Sequence, residues 1–206
     1  MKITIIGPQG SGKGTQAQLL AKKYNTPNIS IGAILRKNIE DGTELGKAAE
    51  GLINAGKFAP DELINELVKN RLKEDDCKNG FILDGYPRSL SQGKIMRKML
   101  DIDFLLEVYI SDKESIRRIS GRRSCVCGEV YHIVYSPPKQ EGICDKDGGK
   151  LTQRDDDKEE VIKIRLKTYH EVTEPLVEFY EDKHIKINGE QPIEGVFKEI
   201  LEKLGE

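Results

Sequence analysis

Gly7-Pro8-Gln9-Gly10-Ser11-Gly12-Lys13-Gly14-Thr15 follows directly on the apolar run 2–6 and leads into the helical stretch Gln16-Ala17-Gln18-Leu19-Leu20. Strand, glycine loop, lysine and helix stand in the order that a phosphate site demands. Glycines let successive backbone N–H groups converge on phosphate oxygens without side-chain obstruction. The helix N-terminus adds its dipole, and Lys13 supplies a mobile positive charge. Gly10, Ser11, Gly12, Lys13, Gly14 and Thr15 are therefore the candidate phosphate-binding residues. The generic pattern has Ser or Thr directly after the lysine, whereas here Gly14 intervenes.

Working outward, Ile3, Ile5 and Ile6 are nearly continuous rather than alternating, as expected for a central strand covered on both faces. Residues 28–31, 81–83, 104–110 and 184–187 read as further strands, and longer helical patterns separate them. That alternation predicts a parallel sheet in the middle of three layers. Leu63, Ile64, Leu67, Val68 and Leu72 recur at helical spacing, as do Ile193, Val196, Phe197, Ile200, Leu201 and Leu204. Pro192 sits where a first helical residue is favoured, after a turn at Asn188 and Gly189. A helical pattern from about residue 158 to 180 contains Pro175, which predicts two pieces.

Residues 124–157 depart from this plan. They are rich in Gly, Pro, Cys and Asp, carry turn signals at Pro137-Pro138 and Asp147-Gly148-Gly149, and lack helical periodicity. A small inserted β-rich subdomain is expected. Of the four cysteines, Cys125, Cys127 and Cys144 crowd into this stretch while Cys77 stands alone and reads as incidental. In a reducing compartment such a cluster points to metal rather than disulfides.

The 206 residues suffice for one large domain with inserted subdomains. With 37% hydrophobic and 33% charged residues at net charge −2, the composition excludes a disordered chain. The negative balance, and the lack of a basic stripe interleaved with aromatics, argue against nucleic acid as a partner. No run approaches the roughly 20 apolar residues of a membrane span, and the chain starts without a signal-peptide pattern. A cytoplasmic protein, away from membranes, is expected.

Further motifs appear in order: Asn28-Ile29-Ser30-Ile31-Gly32-Ala33-Ile34-Leu35-Arg36, then Gly80-Phe81-Ile82-Leu83-Asp84-Gly85-Tyr86-Pro87-Arg88, then Gln92, Gly121-Arg122-Arg123 and Arg154-Asp155-Asp156-Asp157. With the Lys-Gly-Thr form of the loop, they make residues 1 to about 200 resemble the adenylate kinase family of nucleoside monophosphate kinases, in its long-lid bacterial form. The resemblance implies a P-loop α/β fold with a central five-stranded parallel sheet. It divides the chain into a core (1–29, 60–120 and 158–206), a helical AMP-binding insertion (30–59) and a β-rich lid (121–157). It implies reversible, Mg²⁺-dependent phosphoryl transfer, ATP + AMP giving two ADP, by a monomer whose partners are those nucleotides.

Carried over position by position, the resemblance puts Lys13, Arg88, Arg122, Arg154 and Arg165 around the transferred phosphoryl group, and Arg118 and Gln191 with the phosphate loop on ATP. Ile31, Arg36, Lys57, Gly85, Arg88, Gln92, Arg154 and Arg165 fall on AMP, with Gln92 at the adenine. Asp84 would hold Mg²⁺, through water, and Asp156 and Asp157 would fix the closed lid. Cys125, Cys127, Cys144 and Asp147 resemble the two knuckles of a structural zinc site; a filled four-ligand site leaves no position for substrate. The first knuckle has one residue between its cysteines instead of two, and strict spacing would put Ser124 at the ligand position. A metal-free lid held by hydrogen bonds and packing is the alternative. Ser30-Ile31-Gly32-Ala33 lacks a hydroxyl and a carboxylate that relatives carry, and Gln191 stands where many have lysine. The base remains open on these residues, since UMP, CMP or a GTP donor would suit the same loop and arginines. His132 is placed at the ATP base, in packing or in solvent, and His170 reads as structural.

Transfer between two nucleotides joins two polyanions, and the acceptor phosphate is already a competent nucleophile, so no strong base is needed. The protein must supply alignment, positive charge and exclusion of water. Arginine serves better than lysine because its planar fork gives two hydrogen bonds to one phosphate.

Overall fold

The computed structural model describes all 206 residues. The chain runs β1 (Lys2–Ile6), α1 (Lys13–Tyr24), β2 (Asn28–Ser30), α2 (Ile31–Glu40), α3 (Glu44–Asn54), α4 (Asp61–Arg71), β3 (Phe81–Asp84), α5 (Leu90–Met99), β4 (Phe104–Tyr109) and α6 (Asp112–Ser120). It continues through β5 (Arg122–Ser124), β6 (Val130–His132), α7 (Glu159–Thr168), α8 (Leu176–Phe179), β7 (His184–Asn188) and α9 (Ile193–Lys203). No helix is long and apolar enough to cross a membrane.

Five strands form one parallel sheet in the order β2-β3-β1-β4-β7. Side chains alternate across it. Phe81, Leu83 and Leu105 face a core shared with α2, α4, α5 and α8. Ile3, Ile5, Ile82, Leu106, Val108 and Ile187 face α1 and α9, through Ala17, Leu20, Val196 and Ile200. Both faces are thus sealed, which is why β1 has no polar alternation beyond Thr4; each fully buried Ile or Leu contributes about 1.5–3 kcal/mol. Thr4 is satisfied because its hydroxyl donates to Tyr86 O, with Leu83 O 3.2 Å away. Glu107, also inside the sheet layer, accepts from Tyr169 Oη (3.1 Å) and pairs with His184 Nε2 (3.0 Å).

The strand order reverses at β1, whose neighbours β3 and β4 lead to opposite sides, so a crevice opens beyond the carboxyl ends of β1 and β3. In open α/β sheets this switch point is where ligands bind. The phosphate loop ends β1, and Asp84 ends β3 in register with Ile5.

Several boundaries differ from the sequence reading. Ile31 opens α2 instead of closing β2, because Ser30 ends the extended segment and the helix begins at once. β4 stops at Tyr109, one residue before Ile110, whereas β7 extends through Asn188, so the turn begins at Gly189. Pro192 caps α9 in an extended conformation (ψ 154°) rather than occupying its first turn. Around Pro175 the two expected helical pieces exist, but the discontinuity starts earlier. Residues Tyr169–Thr173 form a π-helical turn, closed by Glu174 N–H to Tyr169 O at 2.9 Å. Widening the turn ahead of a proline relieves the ring's clash with the preceding carbonyl.

The 121–157 insertion has little regular structure. β5 and β6 form a short antiparallel ribbon, with isolated bridges at Ser124–Thr152, His132–Ser136 and Ile143–Lys150.

Candidate active site

The phosphate loop is shaped by close packing below and openness above. At Gly7 (φ 147°) a Cβ would lie 2.3 Å from Val108 O, so the chain can leave β1 there only as glycine. Gly12 (φ 87°) caps α1 with no side-chain hydrogen bond and open space around it, which leaves the first helical N–H groups free to meet an anion. The loop is braced from outside: Gln9 Nε2 donates to Ile162 O (3.0 Å) and Ser115 Oγ to Gln9 O (2.5 Å). Thr15 is exposed toward the cleft, whereas Ser11 Oγ is buried without a partner in the chain.

Lys13 is pinned to Pro8 O at 3.1 Å. Burial pulls its pKa down to about 8; Asp84 opposes that shift, while Arg88, Arg165 and Arg122 reinforce it. Burial likewise lowers Arg88 to about 10 and Arg154 to about 9, and it lowers Arg36 and Arg165. Arg122 and Arg165 disfavour the charge on Arg36, as Arg122 and Arg36 do on Arg154. These groups remain cationic at neutral pH, so the cleft holds crowded like charges that an anion would relieve.

Some of the arginines are held by partners. Arg122 Nε donates to Asp157 Oδ2 (2.9 Å), with Nη2 on Oδ1, and the Asp157 carboxylate is fully buried. Arg165 donates to Asp156 Oδ2 (2.5 Å). Arg154 Nε donates to Ser124 Oγ (2.7 Å), and Arg88 Nε to Gly85 O (2.7 Å). Thr173, placed by the π-turn, donates to Arg88 O at 2.8 Å. Arg36 has no hydrogen bond within the chain and packs back over Gly32.

Arg118 and Gln191 sit together at the other edge of the loop. Arg118 Nη1 reaches Gly189 O (2.9 Å) and Gly10 O (3.5 Å), with its Nε on Glu114 (2.6 Å). Gln191 Nε2 donates to Asn188 O (3.1 Å) and to Glu199. Lys57 is exposed beyond α3 with no side-chain partner, beside Phe58.

A second hollow lies between α2 and α5, lined by Ile31, Leu35, Phe58, Ala59, Ile64, Gly85, Arg88 and Gln92. Its free volume is about 20 Å³, well below the roughly 300 Å³ of a small-ligand pocket, so its walls must part to admit a base. Phe58, under the Arg88 guanidinium at 5.3 Å, is a lining residue that the sequence reading missed. Asp61 does not line the hollow but backs it, accepting from Gln92 Nε2 at 2.6 Å, and the sequence reading missed it too, since acids in a first helical turn usually read only as complements to the helix dipole.

Asp84 Oδ2 accepts from Ser30 Oγ (3.1 Å), while Oδ1 is buried with no partner in the chain. An orphan carboxylate oxygen beside Lys13 and the phosphate loop fits a hydrated divalent cation. In the insertion, Sγ of Cys125, Cys127 and Cys144 and a carboxylate oxygen of Asp147 lie within 4.8 Å of one another. Cys127 and Cys144 Sγ are 3.6 Å apart, and Cys125 Sγ is 3.3 Å from Asp147 Oδ1. Thiolates bound tetrahedrally at 2.3 Å stand about 3.8 Å apart, so the set fits zinc despite the shortened knuckle. A Cβ on Gly149 would press within 3.1 Å of both Cys125 Sγ and Asp147 Oδ1. Ser124 is not in this cluster; its hydroxyl serves Arg154.

The histidines lie outside these clusters. His132 Nδ1 accepts from the backbone N–H of Val134 (3.0 Å) and Tyr135 (3.2 Å), with the ring tilted on Tyr135. His170 bridges Glu174 and Asp112, each at 2.9 Å, and the two carboxylates raise its pKa. Cys77 is buried, its sulfur accepting from Arg71 Nη1 at 3.0 Å.

A phosphate loop at the switch point of a parallel sheet, facing an anion-seeking cleft, defines a P-loop phosphotransferase. Residues 5–185 match the family model for adenylate kinase. The adenylate kinase of Caldicellulosiruptor saccharolyticus is 47% identical over 213 residues, spanning 100% of this chain and 99% of that protein. That of Acetivibrio thermocellus is 48% identical over 212 residues (99% and 98%), and that of Archaeoglobus fulgidus 46% over 215 (99% of each). The chain belongs to the adenylate kinase family.

Proposed function

We propose that the protein transfers the terminal phosphoryl group of ATP reversibly to AMP, giving two ADP and so balancing the adenine nucleotide pool. The observation that carries this reading is the convergence of Lys13, Arg36, Arg88, Arg122, Arg154 and Arg165 on one cleft that holds few acids. The donor's polyphosphate alone needs fewer cations than the donor's and the acceptor's phosphates together. The phosphate loop and Lys13 take the donor's phosphates, with Arg118 and Gln191 at its outer end. Arg36 and Arg88 take the acceptor's phosphate, with Gln92, Ile31, Gly85 and Lys57 around its base.

In this scheme the insertion 30–59 binds AMP and the segment 121–157 is a lid. Arg122, Arg154 and Arg165 align on the transferred group, and closure excludes water that would otherwise hydrolyse ATP. Asp84 would hold Mg²⁺ through water, and the bound ion would neutralise charge on the donor's phosphate oxygens. Cys125, Cys127, Cys144 and Asp147 would hold a structural zinc. A coupled assay with ATP and AMP, run with and without Mg²⁺, tests the reading. Magnesium-dependent formation of ADP is expected, and activity confined to pyrimidine monophosphates would overturn it.

Lys13 adds a pH signature. Free, it titrates near pH 8; bound polyphosphate raises its pKa back toward the ordinary lysine value of about 10.4. Binding of ATP at pH 9 should therefore take up close to one proton, and affinity should fall as pH rises through 8. Calorimetry in buffers of differing ionisation enthalpy reads this directly. Lys13→Gln should abolish the uptake, and an unchanged uptake would remove Lys13 from the site.

A further inference from the structure

Within the hollow between α2 and α5, Gln92 is the one lining side chain with both a donor and an acceptor. Ile31 and Leu35 are apolar, and Gly85 O is already taken by Arg88 Nε. Gln92 is 2% exposed, and its amide is not free to turn. Nε2 donates to Asp61 Oδ1 at 2.6 Å, and Oε1 accepts from Arg88 N–H at 2.8 Å. An ionised carboxylate only accepts and a backbone N–H only donates, so both contacts enforce the same one of two orientations. Asp61 is held in turn, because its Oδ2 accepts from Ser89 Oγ (2.9 Å). Ser89 Oγ accepts from Gln92 N–H (3.1 Å), which closes a ring.

We propose that Asp61 is a specificity-determining positioning residue, fixing the Gln92 amide so that the acceptor site takes a 6-aminopurine and rejects a 6-oxopurine. The proposal rests on the reading of this cleft as the acceptor site. After its two protein contacts, the amide retains one N–H and one lone pair. A 6-aminopurine offers an acceptor at N1 beside a donor at N6, whereas a 6-oxopurine offers a donor at N1 beside an acceptor at O6. The two patterns are reversed, and a half-turn of the amide would exchange the base it matches. Here that half-turn would set Oε1 against the Asp61 carboxylate and Nε2 against Arg88 N–H, leaving buried polar groups opposed. Apolar Ile31 cannot add to the discrimination, so among the lining side chains it falls on this locked amide.

The test compares kcat and KM for AMP and IMP, with Mg-ATP as donor, in the wild type, Asp61→Asn and Asp61→Glu. Asparagine nearly matches aspartate in shape but offers both donor and acceptor, which leaves only Arg88 N–H to hold the amide. The AMP-to-IMP ratio of kcat/KM should fall by about tenfold or more in Asp61→Asn, the worth of one buried hydrogen bond. The loss should appear in KM for AMP more than in kcat, and Asp61→Glu should recover part of the ratio. Thermal melting identifies which variants are folded, and Asp61→Ala replaces any that is not. Folded variants that keep the wild-type ratio, even with both activities lowered together, overturn the proposal. A wild-type enzyme inactive on AMP overturns the parent reading instead, and shows itself in the control.

Discussion

Replacing Arg88 by alanine is expected to slow phosphoryl transfer by about 10³ to 10⁵, or roughly 4–7 kcal/mol of transition-state stabilisation. The guanidinium is set for such a role. Its Nε is spent on Gly85 O, its backbone carbonyl is held by Thr173, and its plane lies over Phe58. The outer nitrogens Nη1 and Nη2 make no hydrogen bond within the chain, as bidentate recognition of a phosphate requires. Lysine should not rescue the loss, because it is a point charge without the fork. Stability should not follow. Arg88 is desolvated, and the attraction of Asp84 is set against repulsion from Arg165 and Arg36, so its removal should leave the melting temperature little changed. Turnover in the coupled assay and calorimetric melting read the two effects separately. A loss of tenfold or less would take Arg88 out of the mechanism.

Stripping metal from the insertion should lower the melting temperature by more than about 10 °C, at roughly 2–4 °C per kcal/mol for a chain of this size. The reason is how little else holds that segment. Its apolar cluster consists of Cys125, Cys144 and Leu151 with Tyr131 against them, and Val126, Ile133 and Val134 are exposed. So small a core needs a staple, and structural zinc in small domains supplies about 10–16 kcal/mol. Activity at ambient temperature should survive chelation largely intact, since a four-ligand site takes no part in the transfer. Metal analysis should find one zinc per chain. A purified protein without metal, whose melting is indifferent to chelator, would leave hydrogen bonds and packing as the whole support.

The sheet and the phosphate loop were legible because their signals are local: the unbroken Ile3-to-Ile6 strand, the glycines, and the helix that starts at Lys13. Boundaries were less so where burial is the same in either state. Ile31 is buried both as a strand end and as a helix start, so apolarity alone could not place it. The π-turn at Tyr169–Thr173 leaves no periodic mark, since it shifts phase within a pattern that still looks helical. For the cleft, residue types and family resemblance identified the candidates but not their partners. Arg122 with Asp157, Arg165 with Asp156 and Gln92 with Asp61 are meetings made by the tertiary fold. The knuckle shows the same limit. One residue between Cys125 and Cys127 departs from the usual two, and spacing alone left a metal-free lid as the alternative; the ribbon brings both sulfurs toward Cys144 and Asp147.

Ser124 and Thr152 exchange backbone hydrogen bonds in both directions, at 2.8 and 3.0 Å. The segment between them therefore leaves and rejoins the molecule through a single doorway. Since the doorway is fastened whatever lies beyond it, the cost of closing that excursion grows only slowly with its length. Lineages could trim it, lengthen it or exchange its cysteine cluster for other packed side chains while the sheet beneath folded as before, which makes this insertion the part of the architecture freest to diverge.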